Sequence, residues 1–257
     1  MPAFLAHGRH RLGAALAVAA LAWLDPAQAQ AQQYPERPIK LVVAFPAGSG
    51  ADLLVRLFSE KVAAVSGATV VVENRPGASG SIGADAVAKA APDGYTLLIS
   101  SGTTFTVNPA IQPKLPYDPV KSFDPIGMIG RTGLILLAGK DVPAGSPKEF
   151  IAYAKAAPGK YAYASFGLGT TSQFAGELIL HATGTQLVHV PYKGSAPAMT
   201  DLIGGQVPFS VDTVAAAIPQ LKGGRIKAIA VTSAKRSKLL PGVPTFAESG
   251  FDVEMDT

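Results

Sequence analysis

The sequence predicts an α/β fold of two lobes that close on a ligand like a clamp. Short apolar runs rich in β-branched residues alternate with segments of helical spacing, which indicates largely parallel sheets covered by helices. Two glycine-rich turns, residues 45–52 and 165–173, each join a predicted strand to a predicted helix. Prolines crowd the stretch 109–125 and leave little room there for a helix or a central strand. We therefore expect a domain boundary near residue 131.

The first 29 residues have the pattern of a secretory signal peptide. Arg9 and Arg11 precede a run of apolar or small residues at 12–24, and an A-x-A cleavage site follows at 27–29. The run is shorter than the roughly 20 residues that cross a bilayer, so a membrane anchor is the less favoured interpretation. Cleavage after Ala31 fits as well as cleavage after Ala29. We expect an exported protein of the bacterial periplasm.

The composition limits the classes of function. The chain has no cysteine, so packing rather than disulfides must hold an exported protein of this size. With 22 basic and 18 acidic residues its net charge is +4 at pH 7, a mild bias that favours anionic small molecules. The densest basic cluster, residues 235–238, is too small for a nucleic-acid footprint. We expect a monomer that binds no nucleic acid.

In chain order, the apolar runs predict strands at residues 39–45, 69–72, 95–100, 134–138, 161–164, 187–190 and 226–232. Helical spacing follows residue 53 and covers 173–183, and the capping box at 146–149 predicts a helix over 147–156. Gly67, Gly184 and Gly223 are predicted C-terminal caps. We assign residues 30–131 and a returning tail, 234–257, to the first lobe, and residues 132–233 to the second.

Loop 1, residues 45–52, is the first predicted ligand site. Its glycines and small residues expose the backbone amides, and the helix that follows offers unpaired N–H groups at the positive end of its dipole. Such a turn can hold an anion without a dedicated Arg or Lys. The predicted binding residues are Phe45, Pro46, Ala47, Gly48, Ser49, Gly50, Ala51 and Asp52.

Loop 2, residues 165–173, repeats this arrangement after the strand at 161–164. If each loop lies at the carboxyl edge of its own sheet, two helix N-termini face one cleft. Neither loop has the third glycine of G-x-G-x-x-G or the Gly-Lys-Ser/Thr of a P-loop, and each taken alone also fits a plain tight turn. The predicted binding residues are Ser165, Gly167, Gly169, Thr170, Thr171 and Gln173.

Three further residues are weaker candidates for ligand contact. Ser101 and Thr103 follow the strand at 95–100 and supply hydroxyls at the same kind of strand end, although a local turn-forming role fits equally well. Asp212 ends an apolar run and precedes a helical segment. It is either an N-cap or a cleft residue that selects hydrogen-bond donors on the ligand.

Catalytic motifs are lacking in the sequence. After signal cleavage His181 and His189 are the remaining histidines, and no Cys/His metal spacing, H-E-x-x-H or G-x-S-x-G motif occurs. We therefore predict no enzymatic activity, no metal and no cofactor. An exported α/β enzyme acting on a small carboxylic acid stays open as an alternative, because side chains distant in sequence can meet in the fold. Its candidate residues are Asp52, Asp212 and His189.

Several separated segments resemble, in order, the Bug-type substrate-binding proteins of tripartite tricarboxylate transporters. Besides loop 1 with Arg56 after it, they are YPERPI (34–39), VENRPG (72–77), PDGYTL (92–97), LPYDP (115–119), YAS (163–165), HVPYKG (189–194), GGQV (204–207) and LPGVPT (240–245). The resemblance runs from about residue 34 to the end of the sequence. Many motifs in the same order make it highly specific.

The resemblance implies a periplasmic Venus-flytrap protein, type II-like, that closes on a small carboxylate-bearing solute and delivers it to the permease subunits of a transporter. In that family amides and hydroxyls of two loops hold the carboxylate, often through ordered waters, and these loops correspond to loops 1 and 2. Gln173 stands where members commonly have a His. Relatives also continue past residue 257, so we expect an incomplete return segment on the first lobe. A ligand sensor that presents its closed form to a signalling receptor is a further interpretation.

Overall fold

The computed structural model describes residues 34–257, so the predicted signal peptide, residues 1–29, lies outside the described residues. Residues 37–257 form one compact unit, and residues 34–36 belong to a separate one. In the described part of the chain no helix is both long and apolar enough to cross a membrane. All elements named below lie within the unit 37–257.

The first lobe is built on a parallel sheet of three strands in the order β2-β1-β3. The strands are β1 (Ile39–Val43), β2 (Val70–Asn74) and β3 (Thr96–Ile99), and the helices beside them are α1 (Gly50–Ser66) and α2 (Ser81–Ala88). A 3₁₀ turn, Ala78–Gly80, precedes α2. The central strand β1 is apolar and mostly buried, because it has a partner strand on each side and Val55 of α1 packs on it.

A connector leads from the first lobe to the second. A π-helical turn (Thr103–Val107) follows β3 and continues into a short helix, α3 (Asn108–Ile111), where Pro109 occupies the first turn and needs no N–H partner. From residue 112 to 132 the chain has no helix or strand, in keeping with its prolines. The Tyr117 hydroxyl donates to the carbonyl of Thr104 over 2.8 Å, which ties the connector to the first lobe.

The second lobe is built on a mixed sheet of five strands in the order β6-β5-β7-β4-β8. The strands are β4 (Leu134–Gly139), β5 (Ala162–Ser165), β6 (Val188–Pro191), β7 (Phe209–Thr213) and β8 (Ile226–Val231). The helices are α4 (Pro147–Ala156), α5 (Thr171–Thr183), α6 (Ser195–Ile203) and α7 (Val214–Lys222). β5 is parallel to its neighbours, whereas β4 is antiparallel to both β7 and β8. An apolar run predicts burial but not strand direction, so this reversed strand was not foreseen.

Most helix ends follow the predicted capping chemistry. The Ser146 side chain accepts the Glu149 N–H over 3.3 Å, which confirms the capping box and the start of α4 at Pro147. Gly67 and Gly184 adopt left-handed conformations after α1 and α5. Gly223 is the C-terminal cap of α7, as predicted, although it has φ −77° and the left-handed residue is Gly224 after it.

The segment 245–257 packs on the second lobe, which differs from the expected return to the first. Phe246 and Val253 are buried in the core that contains Leu134, and Thr257 exchanges two backbone hydrogen bonds with Thr132 over 2.9 and 3.1 Å. The physical reason is the apolar face of the five-stranded sheet, which these two side chains cover. The exact lobe boundaries stay a prediction.

Candidate functional site

Loop 1 joins β1 to α1 at the carboxyl edge of the first sheet. Ser49 caps α1, because its side-chain oxygen accepts the N–H of Asp52 over 3.3 Å. Gly48 has φ +78°, a left-handed conformation in which other residues would be strained. The helix begins at Gly50, so the second half of loop 1 is the first turn of α1.

The carboxylate of Asp52 holds loop 1 in shape. It accepts hydrogen bonds from the Gly48 N–H (2.9 Å), from Arg56 Nε (3.0 Å) and from Asn74 Nδ2 (2.9 Å), and the same Asn74 amide also donates to the Phe45 carbonyl (3.0 Å). Burial opposes ionisation of this carboxyl, but the hydrogen bonds from Arg56, Gly48 and Asn74 outweigh it and lower its pKa. The ionised Asp52 side chain thus fixes the conformation of loop 1 through these hydrogen bonds.

Loop 2 follows β5 and is held by neutral groups. The Gln173 side-chain oxygen accepts the Gly169 N–H over 2.7 Å, and the Thr170 hydroxyl donates to the Gly167 carbonyl over 2.7 Å. Ser172 anchors the start of α5 to the sheet, because its hydroxyl donates to the Val211 carbonyl over 2.6 Å. The loop therefore has a fixed shape without any ionised side chain in its hydrogen bonds.

Ser165, the first residue of loop 2, is hydrogen-bonded to His189, one of the candidate residues of the enzyme alternative. Ser165 is fully buried, and its hydroxyl lies 2.7 Å from Nε2 of His189 on β6. The His189 ring stacks on Tyr163, whose hydroxyl donates to Glu177 over 2.6 Å. Burial lowers the pKa of His189, so the neutral imidazole is favoured.

Loop 2 makes polar contacts with the first lobe at two of its residues, Thr171 and Leu168. The Thr171 N–H donates to the Thr103 hydroxyl over 3.1 Å, and the Ser79 hydroxyl donates to the Leu168 carbonyl over 2.7 Å. Thr103 and Thr171 are both buried. These bonds bring the end of β3, the turn after β2 and the start of α5 to one interface.

Loop 1 touches the second lobe at two close approaches. A Cβ placed on Gly50 would collide with the Thr213 side chain, so only a glycine fits against the start of α7. A Cβ placed on Gly194, just before α6, would lie 2.8 Å from Cγ of Pro46. The carboxyl ends of strands from both sheets therefore meet at a single interface.

Unpaired amides remain at this interface. Within residues 34–257, the N–H groups of Gly50 and Ala51 at the start of α1 have no acceptor, and neither do those of Ser172 and Gln173 at the start of α5. Each set lies at the positive end of a helix dipole. The two helix starts belong to different lobes, and each by itself has the exposed amides and dipole end at which anions bind.

Asp212 is the second-last residue of β7, next to Thr213 at the same interface, and it is 1% exposed. It accepts a hydrogen bond from the Ser195 hydroxyl and one from the Thr213 N–H (2.7 Å). Burial raises its pKa to about 6, against the effect of those two hydrogen bonds. Thr213, and not Asp212, is the N-cap of α7, because the Thr213 side-chain oxygen accepts the Ala216 N–H over 3.3 Å.

The sequence-predicted residues therefore fall into two groups. Pro46 and Gly50 of loop 1, Leu168 and Thr171 of loop 2, and Thr103 contact the other lobe. The side chains of Asp52, Ser101, Gln173 and Asp212 instead make hydrogen bonds within their own lobe. The Ser101 hydroxyl, for example, accepts the Thr103 N–H over 3.2 Å. The ligand-binding role of all these residues stays a prediction.

Four residues that shape the interface were not among the predicted site residues: Asn74, Ser79, Gly194 and Thr213. Each lies at the end of a strand or shortly after it, which is the signal that identified loops 1 and 2. Asn74 is the last residue of β2 and Ser79 lies in the stretch that follows, which is rich in small and turn-forming residues. Applying the rule to every strand end would have found them.

Cationic side chains contribute little to the two loops. Within the described chain, Arg56 is the one Lys or Arg that hydrogen-bonds to either loop, and its partner there is Asp52. Among residues 34–257 there is no cluster of three His, Cys, Asp or Glu side chains placed to hold a metal ion. Recognition of an anion at this interface would thus fall to amides and hydroxyls.

Comparisons with known proteins identify relatives over most of the chain. Residues 54–257 match the model of the tripartite tricarboxylate transporter family receptor. The chain is also similar to protein BugT of Bordetella pertussis, with 38% identity over 226 residues, which cover 88% of this chain and 69% of BugT.

Solved structures share the two-lobed fold. The Rpa4515 structure of R. palustris with adipate gives a TM-score of 0.84 at 37% identity and covers 87% of this chain and 75% of that one. The periplasmic binding protein BugD gives 0.81 at 40% identity, covering 87% and 75%. MatC from Rhodopseudomonas palustris with bound malate gives 0.79 at 32% identity, covering 87% and 76%. The expected α/β, two-lobed binding-protein fold is confirmed.

Proposed function

Because the chain belongs to the tripartite tricarboxylate transporter receptor family, we propose that it captures a small carboxylate-bearing solute between its lobes in the periplasm and delivers it to a membrane permease. In this proposal the predicted signal peptide exports the chain, and the protein performs no chemistry on the ligand. The partners are the solute and the permease subunits of a tripartite transporter.

The observation that carries the proposal is the pair of helix starts with unpaired amides. Gly50 and Ala51 on one lobe, and Ser172 and Gln173 on the other, each offer N–H groups without an acceptor in the described chain. A carboxylate accepts several such bonds at once, and bonds to an ionised acceptor are roughly twice as strong as neutral ones. Exclusion of water as the lobes close strengthens them further.

The proposed ligand contacts are the backbone of loop 1, the backbone of loop 2, and the hydroxyls of Ser101, Thr103, Thr170 and Thr171, directly or through ordered waters. Asp52 and Gln173 act by shaping their loops, since their side chains already hold Gly48 and Gly169. Adipate and malate, named with two of the similar structures, are both small dicarboxylates, and they support this class of ligand.

One contact favours the enzyme alternative and needs a test of its own. Ser165 and His189 form a 2.7 Å hydrogen bond of the kind found between a nucleophile and its base. Ser165 is fully buried, however, and its one hydroxyl proton is donated to the Gly167 carbonyl over 3.1 Å, so Nε2–H of His189 is then the donor in the 2.7 Å bond. Both observations favour a supporting role for Ser165 in loop 2 over attack on a substrate.

A thermal-shift screen with adipate, malate and citrate tests the proposal, with putrescine as a cationic control of similar length to adipate. A ligand at 100 times its Kd adds about 2.7 kcal/mol to the free energy of unfolding, which is a clear rise in melting temperature. The acid should be recovered unchanged after long incubation. Turnover of the acid would support the enzyme instead, and a cooperative melt that no acid shifts would contradict the binding function.

A further inference from the structure

Asp212 connects two turns that belong to different crossover connections of the second lobe. The Ser195 hydroxyl, at the start of α6, donates to Oδ2 of Asp212, and the Thr213 N–H, just before α7, donates to Oδ1 over 2.7 Å. The two donors are 18 positions apart in the sequence, at Ser195 and Thr213, and the planar carboxylate holds one with each oxygen. The side chain thus fixes the spacing of two helix starts.

The same two turns receive loop 1. Gly194, next to Ser195, packs against Pro46, and Thr213 packs against Gly50. Neither approach leaves room for a Cβ on the glycine, so each demands accurate placement of the turn. A shift of either turn would open one of the two contacts.

We propose that Asp212 is a positioning residue that locks the turns at Ser195 and Thr213 together, so that both meet loop 1 when the lobes close on a ligand. The inference rests on the proposed function for the ligand-linked part of its test. Asp212 itself does not touch the ligand in this scheme. Its effect reaches the site through Gly50, whose unpaired N–H lies beside the Thr213 contact.

The surroundings of Asp212 suit a spacer rather than a ligand-binding charge. The carboxyl is almost completely buried, and none of the described ion pairs includes it. Burial raises its pKa to about 6, which shows that the site favours the neutral acid more than water does. A neutral acid keeps both contacts, because it accepts the Thr213 N–H on one oxygen and donates from the other to Ser195 Oγ.

An amide has the same capacity, and this gives a rescue test. Asp212→Asn places a carbonyl oxygen for the Thr213 N–H and an NH₂ group for Ser195 Oγ, so it should keep the lock. Asp212→Leu has the same branched shape with a larger volume, and it keeps neither contact. Ser195→Ala removes one of the two contacts without adding bulk, and Ser210→Ala is the matched control, because it removes a buried hydroxyl from β7 that bonds β5 and no turn.

The experiment combines hydrogen exchange in the free protein with malate and adipate dissociation rates. We expect Ser195→Ala and Asp212→Leu to speed exchange in peptides covering 45–53 and 192–196, and to speed dissociation about tenfold, as loss of a buried hydrogen bond allows. Asp212→Asn and Ser210→Ala should stay within about threefold of wild type, well under the tenfold that 1.4 kcal/mol corresponds to.

Two results would overturn the inference. Unchanged exchange in Ser195→Ala would do so even if Asp212→Leu failed to fold, and an Asp212→Asn variant as impaired as Asp212→Leu would show that the charge itself is needed. If wild type binds neither acid, the proposed function is wrong, whereas the exchange data still decide the positioning role.

Discussion

Loop 1 is fixed by a buried charge, whereas loop 2 is fixed by neutral hydrogen bonds. In loop 1 the Asp52 carboxylate accepts hydrogen bonds from Gly48, Arg56 and Asn74. Loop 2 is held instead by the side-chain amide of Gln173 and the hydroxyls of Thr170 and Ser172. Both loops still present unpaired N–H groups at a helix start. Two helix starts with unpaired amides are therefore held by two kinds of hydrogen-bonding groups, and substitutions in the two groups should have different effects.

Removal of the Asp52 carboxylate should have the largest effect. Asp52→Ala leaves the Gly48 N–H without its acceptor, removes one of the two acceptors of the Asn74 amide and takes away the charge partner of Arg56, so we expect a loss of about 2 to 4 kcal/mol in the free energy of unfolding. Ligand affinity should fall more than tenfold. Urea unfolding and calorimetric titration measure both. Asp85→Ala is the control, because its i,i+4 pair with Lys89 lies on α2, away from both loops, and should cost under about 1 kcal/mol.

Removal of one unpaired amide from loop 1 should weaken binding without a comparable loss of stability. Ala51→Pro deletes an N–H in the first turn of α1, where proline is best tolerated, and we expect roughly a tenfold rise in Kd from one lost charge-assisted hydrogen bond. Ala51→Gly keeps the N–H and controls for the changed backbone. Equal affinity of the two variants would show that this amide does not contact the ligand.

Two substitutions of Gln173 in loop 2 should affect stability and ligand affinity differently. Gln173→Leu leaves the Gly169 N–H without an acceptor and should cost about 1 kcal/mol of stability. Gln173→Glu restores an acceptor oxygen and should recover that stability, but its negative charge repels a carboxylate and should raise Kd. Melting curves and titrations on both variants test this. A Glu variant that binds as well as wild type would place the ligand away from this helix start.

The pH dependence of stability should also differ between the groups that hold loop 1 and those that hold loop 2, with a smaller effect than the substitutions above. Burial lowers the pKa of His189 in the folded protein. The stability that the neutral ring contributes is therefore fully present above the ordinary pKa of 6.5, and it is lost as the pH falls through the lowered pKa. Because the pKa of Asp52 is lowered, the stability that its carboxylate contributes is lost only below pH 3.8, the ordinary pKa of an aspartate. Between pH 7 and pH 5, wild type should therefore lose stability relative to His189→Gln, whereas the difference between wild type and Asp52→Ala should stay nearly constant over that range.

Features that depend on adjacent residues could be predicted from the sequence. The capping box at Ser146 and the two strand, turn and helix units depend on a few adjacent residues, and the structure has them near the predicted positions. The antiparallel direction of β4 and the packing of Phe246 on the second lobe depend on contacts between distant segments. An apolar residue signals burial without naming its partner, so these could not be predicted.

The site divides in the same way. Glycines at residues 48, 50, 167 and 169 marked the loops, but the partner of each loop on the other lobe lies far away in sequence. Thr213 meets Gly50 because β7 ends where α1 begins, and Asn74 reaches Phe45 because β2 is paired with β1. Both facts require the strand order, which alternation of strands and helices does not specify.

The Asp52–Arg56 pair has one more consequence, for the rate at which a ligand arrives. The charges of the Asp52 carboxylate and the Arg56 guanidinium cancel. Loop 1 can therefore attract an anion through short-range dipoles, but it carries no local net charge that would act over a Debye length of about 10 Å. Long-range steering by loop 1 itself is therefore weak, and beyond the mild effect of the net charge of +4 we expect the association rate constant to change little with ionic strength. In the proposed function, loop 1 thus contributes to the selection of a carboxylate by fit after collision.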